Sequence, residues 1–153
     1  MAAADISPDV LDAVIAAIEG INGAPGGYTF DLSDGNRTTE DRIDSPPRLP
    51  FVAVVLDDIR STNGPAIGDY NRTMRIRIVG WPPVTGDSTR ARRNAALYML
   101  GDISRAIEAD RSLGALVLDV TLDGTAVIAA DGAEHSAAAL IVLETHWYAD
   151  TGV

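Results

Sequence analysis

The spacing of apolar positions alternates along the chain between helical and strand periods, and it predicts a helix first. Ser7 suits the N-cap position and Pro8 the first helical turn, where no backbone donor is lost. Glycines between Gly20 and Gly27 then end the helix. The apolar stripe of this helix consists of Val10, Leu11, Val14, Ile15 and Ile18.

Three strand patterns follow before the centre of the chain. Residues 28–32 alternate as a short strand with one buried face. Residues 49–59 are almost continuously apolar, which is typical of a strand covered on both faces. Residues 70–81 alternate clearly, with the register fixed by one apolar face, and end before two prolines. We therefore predict strands at these three places.

A long helix at residues 90–111 occupies the centre, and Asp87 or Ser88 can cap it. Its predicted inward stripe consists of Ala96, Leu97, Met99, Leu100, Ile103 and Ile107. Strands at 116–122 and 137–148 follow, and 125–130 is a possible short one. Turn signals at Asp123-Gly124 and Asp131-Gly132 separate these three segments.

This order predicts an α+β fold in which an antiparallel or mixed β-sheet is packed by an N-terminal helix and one long central helix. We expect a single domain over residues 1–153, because no repeat or internal boundary is visible. Two long loops are predicted, at 33–48 and 60–69. The first has no period of its own, and we expect it to be mobile in the isolated chain.

The composition excludes several classes of function. The chain has no cysteine, which excludes disulfides and thiolate chemistry, and its net charge of −10 opposes general binding to nucleic-acid phosphates. The first residues lack the basic and apolar regions of a signal peptide, and no apolar run approaches the roughly 20 residues that cross a bilayer. We expect neither secretion nor membrane insertion.

Candidate chemistry is sparse. Asp57 and Asp58 end an apolar strand, but no second acidic cluster has ligand spacing, so a solvated strand end is the simpler interpretation. His135 and His146 are the only histidines and lack metal-site spacing. Nucleophile-elbow, P-loop and dinucleotide motifs are absent. We therefore expect no enzyme activity, catalytic residue, metal or cofactor.

Half of the 12 basic residues, all of them arginines, fall between Tyr70 and Asn94. They allow three interpretations: a phosphate-facing patch, a salt-bridged exposed face, or an arginine face that meets the acidic face of the next subunit. We favour the third, because arginine forms planar bidentate pairs with carboxylates. The predicted subunit-interface residues are Arg72, Arg75, Arg77, Arg90, Arg92 and Arg93.

Six segments of the chain match the pattern of a known family, namely ISPDVLDAVIAAI, FVAVVLDD, YNRTMRIRIVGW, ARRNAALYMLGDISRAIEAD, LGALVLDVTLDG and ALIVLETHWY. In these segments almost the whole chain, residues 6–148, resembles the tail terminator (tail completion) proteins of long-tailed bacteriophages. The resemblance rests on the order of elements and on faint patterns within them.

The resemblance implies a virion structural protein with an α+β fold that forms a hexameric ring at the head-proximal end of the tail. Such a ring ends polymerisation of the tail tube and provides the surface that joins the head. The implied partners are copies of the chain, the tail tube protein and a neck or connector protein, with DNA passing through the lumen without specific binding. The loops at 33–48 and 60–69 would contact the tube or connector.

Three other functions stay open on the sequence alone. One is a head-completion or neck protein, which occupies the same junction. Another is a small metal-dependent hydrolase that uses Asp57, Asp58 and a histidine. The last is a cellular oligomeric binding module.

Overall fold

The computed structural model describes residues 6–63, 69–86, 88–128 and 137–150. Two helices, α1 (Ser7–Glu19) and α2 (Thr89–Glu108), accompany a five-stranded sheet. The strands are β1 (Thr38–Thr39), β2 (Phe51–Asn63), β3 (Asp69–Trp81), β4 (Asp119–Ile128) and β5 (Ala137–Asp150). The predicted α+β fold, with an N-terminal and a central helix, is confirmed. No helix in the described ranges is both long and apolar enough to span a membrane.

The sheet is mixed, in the order β1-β2-β3-β5-β4. β1 pairs with β2 in parallel through two residues, and the other neighbouring strands are antiparallel. β5 therefore lies inside the sheet, between β3 and β4, although it is last in sequence. A register shift between Leu56 and Asp58 interrupts the pairing of β2 with β3.

Both helices contribute buried side chains to one core beneath a single face of the sheet, here called the helix face. Alternate residues of β3 and β5 point into this core, as the period of two requires. Fully buried residues of this core include Val10, Val14, Ile18, Met74, Ile76, Ile78, Met99, Ile103, Ile107, Ile141 and Leu143. The opposite face carries no helix among the described elements.

Two glycines of the sheet let α2 approach closely. A Cβ built at Gly80 would lie 2.8 Å from atoms of Met99 and Ile103, and one at Gly124 would lie 2.5 Å from Leu100. Because real Cβ atoms do not come so close to carbon atoms, a side chain at either position would force these side chains of α2 to shift. Side chains of α2 thus pack directly over the backbone of these two glycines.

The predicted strand at residues 28–32 does not form, apart from a single bridge between Asn22 and Asp31. The backbone N–H groups of Thr29 and Phe30 donate to the carboxylate of Asp102 on α2, at distances from 2.8 to 3.1 Å. Asp102 is 6% exposed. Because the Asp102 carboxylate accepts hydrogen bonds from these two N–H groups, residues 28–32 are bonded to α2 instead of pairing with a strand of the sheet.

Two loop and turn predictions are also corrected. β2 continues to Asn63 and β3 begins at Asp69, so residues 60–63 and 69 of the predicted loop are strand, and 64–68 lie outside the described residues. Asp123-Gly124 is not a turn, because β4 begins at Asp119 and runs through it, with Gly124 opposite Ile141. The turn predicted at Asp131-Gly132 and the residue His135 lie outside the described ranges.

The loop at 33–48 is irregular except for β1, and arginine contacts hold its start. Arg37 pairs with Asp34 at 2.8 Å and donates to the carbonyl oxygen of Leu49 at 2.8 Å. Arg48 also approaches Asp34, at 3.6 Å. These contacts join the two ends of the loop.

The helix predictions hold with small changes at their ends. α1 begins at Ser7 itself, so Ile6 takes the N-cap position. Ser88 caps α2, because its Oγ accepts a hydrogen bond from the backbone N–H of Ala91 at 3.0 Å. Leu97 does not point inward as predicted and is 47% exposed, since it lies on the opposite side of the helix from Met99.

We predict that Gly80→Val destabilises the chain by about 1 to 3 kcal/mol, because the new side chain overpacks the contact with Met99 and Ile103. The matched control is Gly101→Ala on the outer side of α2, where an added Cβ meets nothing within 4 Å. That change should stabilise the helix by up to about 1 kcal/mol. Urea unfolding measures the stability of both variants. Equal effects of the two changes would contradict the close packing of α2 on the sheet.

Candidate functional site

The face of the sheet opposite the helices, here called the open face, is apolar at one end and charged in the middle. Phe51, Ala53 and Trp81 form a small cluster at the apolar end, against which Ile43 of the long loop packs. The other described residues of the open face on β2, β3 and β5 include Val55, Asp58, Arg75, Arg77, Val79, Ala138, Leu140, Val142, Glu144, His146 and Tyr148. Among the described elements no helix covers this face, and the long loop packs on its apolar end.

Ion pairs join the charged residues of the open face. Arg75 lies opposite Glu144 in the β3–β5 register, and its Nη2 donates to Oε2 at 3.2 Å. This hydrogen bond is the main cause that raises the pKa of the Arg75 guanidinium. Arg77 and Arg42 both approach Asp57 Oδ1, at 3.5 and 3.6 Å. Charges in the middle of this face are therefore mostly balanced within the chain.

The carboxylates that end the apolar part of β2 are thus held by arginines. Asp57 has two arginine neighbours, and Asp58 has Arg60 at 3.5 Å. His146 is exposed on β5 opposite Asp119. Within the described ranges, no group of three or more His, Asp or Glu side chains could hold a metal ion.

A cavity of about 220 Å³ lies between the long loop and the open face. Its walls combine two guanidinium groups with aliphatic side chains from β2 and β3, so it joins the apolar and charged parts of the face. The lining residues are Arg42, Ile43, Asp44, Ala53, Val55, Arg77 and Val79.

The six arginines predicted as a subunit interface do not share one surface. Arg75 and Arg77 lie on the open face, whereas Arg72 lies opposite Trp147 on the helix face. The Nε of Arg72 is buried without a hydrogen-bond partner. Alternation along β3 explains the separation, since neighbouring residues of a strand point to opposite faces.

The three arginines of α2 also separate. Arg92 is 5% exposed, and its Nη2 donates to Thr89 Oγ1 at 3.2 Å, whereas Arg90 and Arg93 are exposed. Arg93 donates to the side-chain oxygen of Asn94, at 3.1 and 3.2 Å. Neither Arg90 nor Arg93 has a carboxylate within ion-pair distance among the residues that the structure describes. The ion pairs between described residues involve Arg37, Arg42, Arg48, Arg60, Arg75, Arg77 and Arg111.

Sequence reasoning placed Arg75 and Arg77 on one face but missed the residues around them. Glu144 is 69 positions from Arg75, and only the pairing of β3 with β5 brings the two together. Alternation along 137–148 would have assigned Leu140, Glu144 and Tyr148 to one exposed face. It could not have said which strand lies beside them.

Comparison of the chain with protein-family models and with curated proteins finds no match. The function is therefore inferred from the sequence and from the geometry of the described residues.

The pair of Arg111 with Asp119 at the start of β4 predicts a pH effect. Arg111 Nε donates to Asp119 Oδ1 at 2.8 Å, and this bond is the main cause that holds the pKa of Asp119 below its ordinary value of 3.8. A lowered pKa in the folded state stabilises the fold above the unfolded pKa, and the contribution is lost as the pH falls through the folded pKa. We expect Asp119→Asn to lose less stability than the wild type between about pH 4 and pH 2.

Urea unfolding across this pH range measures the effect. The control is Asp123→Asn in the same strand. The exposed Asp123 carboxylate has no ion pair among the described residues, so the free energy of unfolding of this variant should change with pH as that of the wild type does. If Asp119→Asn kept the wild-type pH dependence as well, the ion pair would not contribute to stability.

Proposed function

We propose that the chain is a structural virion protein that forms a ring at the head-proximal end of a long bacteriophage tail. In this role it ends polymerisation of the tail tube and provides the surface that joins the head. The observation that carries the proposal is the open face, a broad strand surface with paired charges and exposed apolar side chains. The order of elements resembles that of tail terminator proteins, and for this reason we assign the open face to contacts at the junction of head and tail.

The open face suits contact with another protein. Val127 is 40% exposed, Leu140 36% and Tyr148 61%, and each lies on this face. Charged groups that already have partners lose less on desolvation than isolated charges do. Protein interfaces combine an apolar centre with polar groups in this way. We assign the open face to the tail tube or to the neck protein.

The acidic composition supports the same role. With a net charge of −10, a ring of copies would repel the phosphate backbone of DNA in its lumen. Repulsion favours passage of the polymer over binding to it. A structural ring therefore agrees with the charge better than a nucleic-acid-binding protein does.

Deleting the gene from the phage that encodes it tests the assignment. Without a terminator, tube subunits continue to add, so we expect tubes of irregular excess length and heads without joined tails. Electron microscopy measures both, and the wild-type gene supplied in trans should restore them. Tails of normal length joined to heads would contradict the proposal.

The contribution of the open face is tested by Leu140→Glu supplied in trans in the same deletion. The added charge should prevent docking without unfolding the chain, because Leu140 is 36% exposed. The matched control is Leu118→Glu, which adds the same charge at a residue 54% exposed before β4. We expect the control to restore joined particles and Leu140→Glu to fail; the opposite pattern would remove the open face from the proposal.

A further inference from the structure

A ridge of large exposed side chains lies on the outer side of α2. Arg90, Arg93 and Leu97 follow one another at helical spacing. Tyr98 is the next residue after Leu97, about 100° further around the helix. Leu97 is 47% exposed and Tyr98 55%. We call these four residues the α2 ridge.

The charges of the ridge are not balanced by carboxylates among the described residues. Arg90 and Arg93 have no carboxylate within ion-pair distance in the described ranges, although the chain carries 22 acidic residues. They also lie in the first turns of α2, where the helix dipole disfavours positive charge. Positive groups in such a place are expected where another molecule supplies the negative ones.

An open groove separates α1 from the C-terminal end of α2. It has a volume of about 380 Å³, within the range of about 300 to 1,000 Å³ of pockets that hold ligands. Small side chains of both helices create the space. The lining residues are Ala13, Ala16, Ala17, Ala106, Ile107, Asp110, Leu113 and Gly114. We call this the alanine groove.

Carboxylates border the alanine groove on the α1 side. Asp9 and Asp12 each precede a lining alanine by one helical turn, Asp9 before Ala13 and Asp12 before Ala16. Both are exposed, and neither has a basic partner among the described residues. The groove is thus an apolar surface with a negative border, whereas the ridge is an apolar surface with a positive border.

We propose that the α2 ridge of one copy binds in the alanine groove of the next copy. Leu97 and Tyr98 fill the space above the alanines, and Arg90 and Arg93 face Asp9 and Asp12. The spacing agrees, because Arg93 precedes Leu97 by four residues and Asp12 precedes Ala16 by four, each about 6 Å along a helix. This rests on the proposed ring and names its subunit contact.

The two surfaces differ, so the contact is heterologous, and successive contacts build a ring if the rotation closes. The open face stays free for the axial neighbours. Of the six arginines that the sequence suggested for the interface, the proposal keeps Arg90 and Arg93. Arg75 and Arg77 pair within their own chain.

Two charge-reversal variants test the contact. The first combines Arg90→Glu with Arg93→Glu on the ridge, and the second combines Asp9→Arg with Asp12→Arg at the groove. Each alone places like charges across the contact, and we expect self-association about a hundredfold weaker or more, measured by analytical ultracentrifugation. Glutamate in the first turns of α2 favours the helix dipole, so the ridge variant should stay folded.

Mixing the two variants is the decisive step. In an alternating assembly, every glutamate ridge meets an arginine groove and every wild-type ridge meets a wild-type groove, so association should return to near the wild-type strength. The control Arg48→Glu with Arg60→Glu makes the same change in net charge as the ridge variant, at residues outside the ridge and groove, and should associate as the wild type does. Variants that associate normally alone, or a mixture that stays dissociated, would overturn the proposal.

A steric variant gives the same test without a change in charge. Ala16 is exposed, so Ala16→Trp should leave the fold intact, fill the alanine groove and block association. Normal association of this variant would also overturn the proposed contact.

If the wild type forms rings that none of these changes disturbs, the proposed contact is wrong but the proposed function is not. If the wild type stays monomeric at every concentration and is absent from phage particles, the proposed function fails with it.

Discussion

Helix α2 packs on the sheet at Gly80 and Gly124. This close contact determines which surfaces of the chain remain available for contact with other proteins. Met99 and Ile103 fill the space above the first glycine and Leu100 the space above the second. The same helix holds the segment before β1 through Asp102, and through Arg105, which donates to the Gly26 and Gly27 carbonyl oxygens. With both helices on one side, the other side of the sheet carries no helix among the described elements.

The helical and strand periods were sufficient to predict the α+β fold and most of the core. The stripe of α1 and residues such as Met99, Ile103 and Ile107 follow directly from spacing. Errors arose where a distant group competed. Residues 28–32 alternate like a strand, but Asp102 takes two of their backbone donors. Leu97 belongs by its chemistry to the core, yet its angle on α2 turns it outward.

The candidate site was less predictable, because it depends on which strands are neighbours. The sequence identified the concentration of arginines but not their division among two sheet faces and one helix. A distance of 69 positions separates Arg75 from Glu144, so no local pattern connects them. Arg90 and Arg93 stand out only once the pairs of the other arginines are known.

The chain thus presents three distinct surfaces, namely the open face, the α2 ridge and the alanine groove, and each suits a neighbour. We propose that the protein acts by contact with its neighbours. Electron microscopy of purified phage particles, with the chain labelled by a specific antibody, tests this account most directly. The account predicts label at the junction of head and tail in intact particles. Particles without the chain, or label confined to another part of the virion, would contradict it.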